Sequence, residues 1–191
     1  MKKKTTVSRL RATLRGRYWK EHFAQIRRCY QCGGLLRMSY IKEEKCRRRR
    51  CASCRTITYT NPKVVAGCIP VMPDGRIVLG KRDIEPARGK WTFPAGYMEM
   101  EETVEGAAAR ETMEEIAVRV RIGKEVGVYS YVDAGVVTIV YEGRVLKGEK
   151  PSQTNETSDV MLVKPSEIPW KDLAFRSTAH ALQDWLKRRK K

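Results

Sequence analysis

The chain has 191 residues, of which 41% are hydrophobic, and it carries 39 Lys and Arg against 22 Asp and Glu, with six Cys. That length and apolar content suit one ordinary domain with an appendage and exclude a long disordered chain. The longest apolar run, Val64 to Met72, is nine residues with a Gly and a Pro inside it, so no membrane partner is expected; a spanning helix needs about 18 or more.

The net charge of +17 is concentrated at one end. Residues 1–63 hold 19 Lys and Arg with only Glu21, Glu43 and Glu44, whereas residues 64–186 hold 15 basic and 19 acidic residues before the basic tail Lys187–Lys191. A basic module therefore precedes a mildly acidic one, with the boundary near Asn61-Pro62. Such a segment serves as a solubilising surface or as a contact for RNA or another polyanion, since each cation set on a phosphate releases counterions. Arg9, Arg11, Arg15 and Arg17, with no acid before Glu21, also have the composition of an organelle transit segment. Met1-Lys-Lys-Lys is followed by Thr and Arg and not by an apolar stretch. The expected location is the cytoplasm, or an organelle stroma or matrix if the basic start is a targeting segment.

Cys29-x-x-Cys32 and Cys51-x-x-Cys54 are separated by 18 residues. Each pair lets one tight turn aim two thiolates at an ion, and two such turns close the tetrahedron of a structural Zn²⁺ site, leaving no position for catalysis. Gly33-Gly34 supplies the permissive backbone that such a knuckle needs. Cys46 either substitutes for Cys51 or stands as a spare thiol, and Cys68 falls in the apolar run as a core residue. Arg47–Arg50 are expected on a loop between the knuckles, presented to solvent.

Further along, Lys63–Met72 reads as a strand, Asp74-Gly75 as a hairpin turn and Arg76–Lys81 as the partner strand. After the loop Asp83–Lys90, Thr103 caps a helix running to about Ile116. The β-branched runs Val126–Val132 and Val136–Val145 are further strands, and Val160–Val163 is a short one. Phe175, Ala179, Leu182 and Leu186 recur at helical spacing as the core face of a last helix.

The chemistry is concentrated on the first of these helices. Glu111 and Glu115 lie about 40° apart around a helix axis, and Glu114 flanks the same face. Stacked like charges weaken a helix, and a hard divalent cation that carboxylate oxygens favour relieves the repulsion. Arg110 can orient these carboxylates, and Glu102 can reach back toward the first turn or toward Arg110.

The stretch Gly96 to Val118 resembles the Nudix box, G-x5-E-x7-R-E-U-x-E-E-x-G-U with U a bulky apolar residue. Gly96, Glu102, Arg110, Glu111, Glu114 and Glu115 fall in register, a coincidence expected by chance on the order of 10⁻⁵ per chain from ordinary residue usage. Thr112 stands where an apolar residue is usual, and Ala117 where Gly is usual. If that position is a left-handed C-cap, Ala there costs about 1 kcal/mol or shifts the helix end.

The resemblance extends over residues 29 to 180, through Asn61-Pro-Lys63, Gly80-Lys-Arg82, Trp91 to Gly96, Ile168-Pro169 and Leu173-Ala-Phe175. These look like the zinc-ribbon branch of Nudix hydrolases, and within it the FAD/ADP-ribose pyrophosphatases of plant plastids and bacteria. The S-Q-P-W-P-F-P-Q-S signature of NADH pyrophosphatases is missing after the box. The resemblance implies an α/β/α sandwich with a mixed sheet, preceded by a small zinc ribbon. The parts would be a basic arm over 1–28, the zinc-ribbon module over 29–62 and the hydrolase domain over 63–191. It further implies an Mg²⁺- or Mn²⁺-dependent enzyme cleaving a nucleoside diphosphate linked to another moiety, FAD or ADP-ribose, and a dimer in many relatives.

Carried onto this chain, Glu111 and Glu115 would be the main metal ligands, the Gly96 carbonyl would complete the coordination, and Glu114 would be a further ligand or the base. Glu102 and Arg110 complete the catalytic set, and Glu156 or Asp159 from a later loop are alternatives for the base. Arg82 and Arg88 are candidate diphosphate contacts. Tyr129, Tyr131 and Tyr141 could stack a flavin or adenine or fill a strand face. A second class of function is a nucleic-acid- or ribosome-associated zinc-ribbon protein that uses the Nudix fold as a ligand sensor or RNA-end hydrolase. The complete set of box glutamates favours the enzyme.

Overall fold

The computed structural model describes residues 26–131 and 133–189, so most of the expected basic arm, with its targeting reading, lies outside the described residues, as does Val132. The chain divides into two compact units, one of Met1–Pro62 with Tyr131–Gly135 and one of Lys63–Ser130 with Val136–Lys191.

In the first unit, β1 (Leu36–Ile41) and β2 (Cys46–Cys51) form an antiparallel hairpin from Leu36 opposite Cys51 to Ile41 opposite Cys46, and β3 (Ile57–Thr58) pairs with β2. Arg47–Arg50 therefore lie in a strand and not on the expected loop. Four identical polar residues carry no alternation for sequence reasoning to detect, and pairing with β1 makes the strand. The reversal is confined to the residues around Lys45, which takes a left-handed φ of 51°.

The second unit is a mixed sheet in the order β10-β5-β4-β9-β8, built from β4 (Lys63–Val71), β5 (Ile77–Arg82), β8 (Val120–Ser130), β9 (Val136–Val145) and β10 (Thr157–Val163). Two short strands, β6 (Trp91–Thr92) and β7 (Ala95–Tyr97), pair with β5 and β4. β4 and β9 run parallel over nine residue pairs, from Lys63 beside Val136 to Val71 beside Arg144, and the other pairings are antiparallel.

Strand alternation assigns the helices to opposite faces. On one face Ala66 and Cys68 pack under Ala107 and Ala108 of α1 (Val104–Ile116), with Tyr141 alongside. These small side chains let the helix approach closely, and Gly143 is bare because a Cβ there would meet the Cys68 sulfur. Cys68 is fully buried, as expected, and burial pushes its thiol up to about 12. On the other face α2 (Arg176–Arg189) packs on β8 and β9, where the Trp185 indole N–H donates to Glu142 at 2.7 Å and the Tyr129 hydroxyl donates to Asp184 at 3.2 Å. The α/β/α sandwich with a mixed sheet is thus present. Among the described residues no helix is long and apolar enough to cross a membrane.

In this unit β10 starts three residues before Val160, and β8 and α2 also differ from expectation. β8 begins six residues before Val126, because register shifts between Ile122 and Glu125 and between Glu125 and Gly127 break the alternation that would reveal its first half. In α2 the buried face is Thr178, Ala181, Leu182 and Trp185, rotated from the Phe175-Ala179-Leu182-Leu186 face. A threonine is tolerated there because its hydroxyl meets that of Thr92 at 3.0 Å in the interior.

α1 has the expected limits. The Thr103 hydroxyl accepts the Gly106 N–H at 3.0 Å, and the helix closes at Ile116. Ala117 then takes left-handed angles, φ 56° and ψ 36°, with its N–H on the Met113 carbonyl. Thr112, fully buried at an apolar position, hides its hydroxyl by donating to the Ala108 carbonyl at 2.6 Å. The C-cap generates a prediction. Ala117→Gly removes left-handed strain but loosens the unfolded chain, for a net gain of about 0.5–1 kcal/mol, or roughly 1–4 °C in Tm by calorimetry.

Candidate active site

Arg110 leaves α1 toward the strand-to-helix connection. Its Nε and Nη2 donate to both oxygens of Glu102 at 3.1 and 2.8 Å, Nη1 donates to Glu111 and Glu114 at 2.8 Å each, and Nη2 also donates to the Tyr97 carbonyl at 3.1 Å. All five guanidinium N–H groups are engaged, an arrangement that a lysine cannot reproduce. Glu102 in turn accepts the Glu99 N–H at 2.6 Å. Arg110 foremost, then this amide, holds the Glu102 carboxyl below its ordinary range.

Behind Arg110 the helix turns its acidic face onto β7. Gly96, in register with Ala66 of β4, lies against the Glu111 carboxylate, and a Cβ at this position would fall on the carboxylate itself. The glycine is therefore required for close approach, independent of backbone dihedrals. One turn on, Glu115 is 6% exposed. Burial first and the Glu111 charge second push its carboxyl up to about 8; Arg82 acts in the opposite sense, and Glu156 adds to the rise. Burial also raises Glu111, against the pull of Arg110.

Glu156 reaches this neighbourhood on a loop fastened to the end of α1. The Thr154 and Thr157 hydroxyls donate to the Glu115 carbonyl at 3.2 and 2.8 Å, and the Ser152 N–H donates to the Ile116 carbonyl at 3.1 Å. They satisfy carbonyls that a helix terminus leaves without partners. Sequence reading missed both threonines, because nothing local marks contacts 39 and 42 residues away.

Other expected residues are distributed differently. Arg82 stacks over the Phe175 ring at 5.1 Å and donates to the Pro86 carbonyl, while its charge acts on Glu115. Arg88 is exposed and paired with Asp83 at 2.8 Å. Asp159 on β10 takes the Val160 N–H and sits opposite Lys81. Tyr141 donates to Glu105, Tyr129 to Asp184, and Tyr131 belongs to the other unit.

The donor set suits a divalent cation. Two hard carboxylates buried one turn apart are costly without a positive charge between them, and Glu114 and Glu102 add further oxygens at the rim. A family model described as the NUDIX domain matches residues 61–185. The chain belongs to the Nudix family. A solved NUDIX hydrolase from Nitrosomonas europaea is 39% identical, with a TM-score of 0.81 over 86% of this chain and 93% of that one. The "ADP-ribose pyrophosphatase" of Methanocaldococcus jannaschii is 36% identical over 95 residues, 48% of this chain and 56% of that protein. The "NAD-capped RNA hydrolase NudC" of Vibrio cholerae is 32% identical over 98 residues, 51% of this chain and 34% of that protein. The chain thus spans little more than half, or less, of the length of these two curated relatives.

In the unit that does not carry the Nudix box, Cys29, Cys32, Cys51 and Cys54 bring their sulfurs within 4.8 Å of one another. The two knuckles are built alike. The Cys29 N–H meets the Gly34 carbonyl as the Cys51 N–H meets the Thr56 carbonyl, and Gly33 and Arg55 return hydrogen bonds to the two cysteine carbonyls with φ of 70° and 67°. Sulfur separations of 3.7 Å (Cys29–Cys54) and 3.5 Å (Cys32–Cys51) are near the ~3.8 Å edge of a tetrahedron with Zn–S of ~2.3 Å. Cys46 lies outside this group, with its sulfur toward Glu44. The four cysteines could hold zinc.

Two predictions follow from this chemistry. Cys46→Ser keeps one zinc per chain by elemental analysis, whereas Cys51→Ser loses it. The Glu115 carboxyl, raised to about 8 in the folded chain against 4.5 ordinarily, binds its proton more tightly when folded. Its contribution to stability is therefore present below about 4.5 and lost as pH rises through 8. Melting of zinc-loaded, magnesium-free protein across that window should decline more for the parent chain than for Glu115→Gln, and added Mg²⁺ should shrink the difference.

Proposed function

We propose that the chain is a divalent-metal-dependent pyrophosphohydrolase that cleaves the diphosphate of a nucleoside diphosphate linked to another moiety. ADP-ribose or FAD is the substrate, giving AMP with ribose 5-phosphate or FMN. The observation that carries this reading is the set of carboxylates joined through Arg110, Glu102 from the turn before α1 and Glu111 and Glu114 from one face of it, with Glu115 buried behind them. The likeness to a protein named ADP-ribose pyrophosphatase supports the choice of substrate. In this reading 63–191 is the catalytic domain, 29–62 a structural zinc module and 1–28 a basic arm, acting in the cytoplasm.

Glu111 and Glu115 hold the cation, with Glu114 and the Gly96 carbonyl available to complete its shell. Mg²⁺ or Mn²⁺, when bound, neutralises the diphosphate and acidifies a coordinated water. Arg110 fixes the Glu111 and Glu114 side chains before substrate arrives, so their reorganisation does not burden the reaction. Arg82 meets the diphosphate from the strand end; Arg88, already paired with Asp83, contributes less. Hydrolysis forms one P–O bond to the water oxygen and breaks one to the bridging oxygen. The water's proton passes to a carboxylate, Glu114 or Glu156, both next to the buried pair.

A second reading, an RNA-end hydrolase, is favoured by the likeness to proteins named NAD-capped RNA hydrolase. A hydrolysis panel with Mg²⁺ or Mn²⁺ and FAD, ADP-ribose, NADH, a nucleoside triphosphate and capped RNA separates them. Turnover of ADP-ribose or FAD supports the first reading, turnover of capped RNA alone supports the second, and no turnover with zinc loaded overturns both. Glu114→Gln, half-exposed and still able to accept from Arg110, is expected to lower kcat by about 10²–10⁴-fold with Tm unchanged.

A further inference from the structure

Among its described residues the zinc-bearing unit is strongly basic. Residues 26–62 hold ten Lys and Arg and two acids, Glu43 and Glu44. Glu44 is already engaged by Arg48 at 2.7 Å and by the Tyr59 hydroxyl at 2.6 Å. Across the β1–β2 hairpin Arg37 sits directly opposite Arg50, a like-charge pair that weakens a sheet. Four consecutive arginines on β2 send cations to both faces of the sheet by alternation.

The same sheet displays aromatic side chains where a folding core has no use for them. Tyr40, 63% exposed, lies opposite Arg47, and Tyr59, 56% exposed, lies under the Arg48 guanidinium at 5.4 Å. Two rungs from the Tyr40–Arg47 pair, half-exposed Met38 faces Arg49, whose Nη1 donates to the Ile26 carbonyl, and Arg49 faces Thr58. Met38, Arg47, Arg48, Arg49, Thr58 and Thr60 line a cleft of about 440 Å³ within this unit.

Cations for phosphates, interleaved with exposed rings that accept any base by stacking, are the chemistry that holds a single strand; a duplex would offer no base faces. We infer that the β1–β3 sheet of the zinc-bearing unit is a binding surface for single-stranded nucleic acid, with exposed Arg47 on a phosphate and Tyr40 stacked on a base. This goes beyond the proposed hydrolysis and does not depend on it.

The test is fluorescence anisotropy of a short labelled oligouridylate with the full zinc-loaded chain at several salt concentrations. Arg47→Gln is expected to weaken binding roughly fivefold and to reduce the log–log salt slope by about 0.7, the share of one phosphate. Tyr40→Ala is expected to weaken binding roughly tenfold with the slope unchanged, and Tyr40→Phe to restore it. Zinc content and ADP-ribose hydrolysis are read in parallel and should match the parent chain, so a failed surface and a failed hydrolase are told apart. Unchanged affinity in Arg47→Gln overturns the assignment, as does an unaffected Tyr40→Ala. Tighter binding of a matched duplex or of phosphatidylserine vesicles at equal salt also overturns it.

Discussion

Arg110 donates from all five N–H groups to acceptors on the β7 end, on the turn before α1 and on α1 itself. No other side chain can join those pieces in this way. A lysine has too few donors, and their directions are unconstrained. Because Glu102 is bound on both oxygens, the connection entering the helix is pinned to the helix's second turn. Because Glu111 and Glu114 share Nη1, their carboxylates are pointed before any ligand arrives. The guanidinium is about one-quarter exposed, so these pairs act in a partly desolvated setting, where removing the partner leaves buried charge behind.

That knot requires the helix to come close to the sheet, and the close approach is written in small side chains. Ala107 and Ala108 meet Ala66 and Cys68, Gly143 clears the Cys68 sulfur, and Gly96 clears the Glu111 carboxylate. A larger residue at any of these positions would lift the helix and separate Glu111 from β7. The packing thus sets the distances on which the chemistry depends, and Ala-rich composition in the middle of α1 is part of the site.

Legibility in the sequence follows the range of the interactions. α1 could be read to the residue because its cap, Thr103, and its stop, Ala117, act within four residues, and the six box positions are specified by spacing alone. β9 could be read because a β-branched run needs no further evidence. The first half of β8 was hidden by its register shifts, and β2 by four arginines without alternation. The buried face of α2 was misplaced because Thr178 and Trp185 satisfy their polar atoms on Thr92 and Glu142, partners no local pattern reveals. Within the site, the grip of Thr154 and Thr157 on α1 is a long-range contact of the same kind. Arg88 was indistinguishable in sequence from Arg82, and the structure separates them by the Asp83 pairing of one and the action of the other on Glu115.

The C-terminal half of α1 breaks the rules that make a helix stable, and it does so where the proposed chemistry sits. Its last turn has no basic residue and holds Glu114 and Glu115, at the end where the helix dipole disfavours negative charge. Glu115 is buried beside Glu111, and the chain leaves through a left-handed alanine. Three features offset these costs: the Arg110 guanidinium, the two threonine hydroxyls on the Glu115 carbonyl, and a packed alanine face. None of them neutralises Glu115 itself, whose carboxyl stays raised to about 8. A helix selected for stability alone would replace that residue. In the proposed reading a cation held by the two carboxylates would account for its presence, and the local instability and the proposed metal affinity would be two consequences of one arrangement.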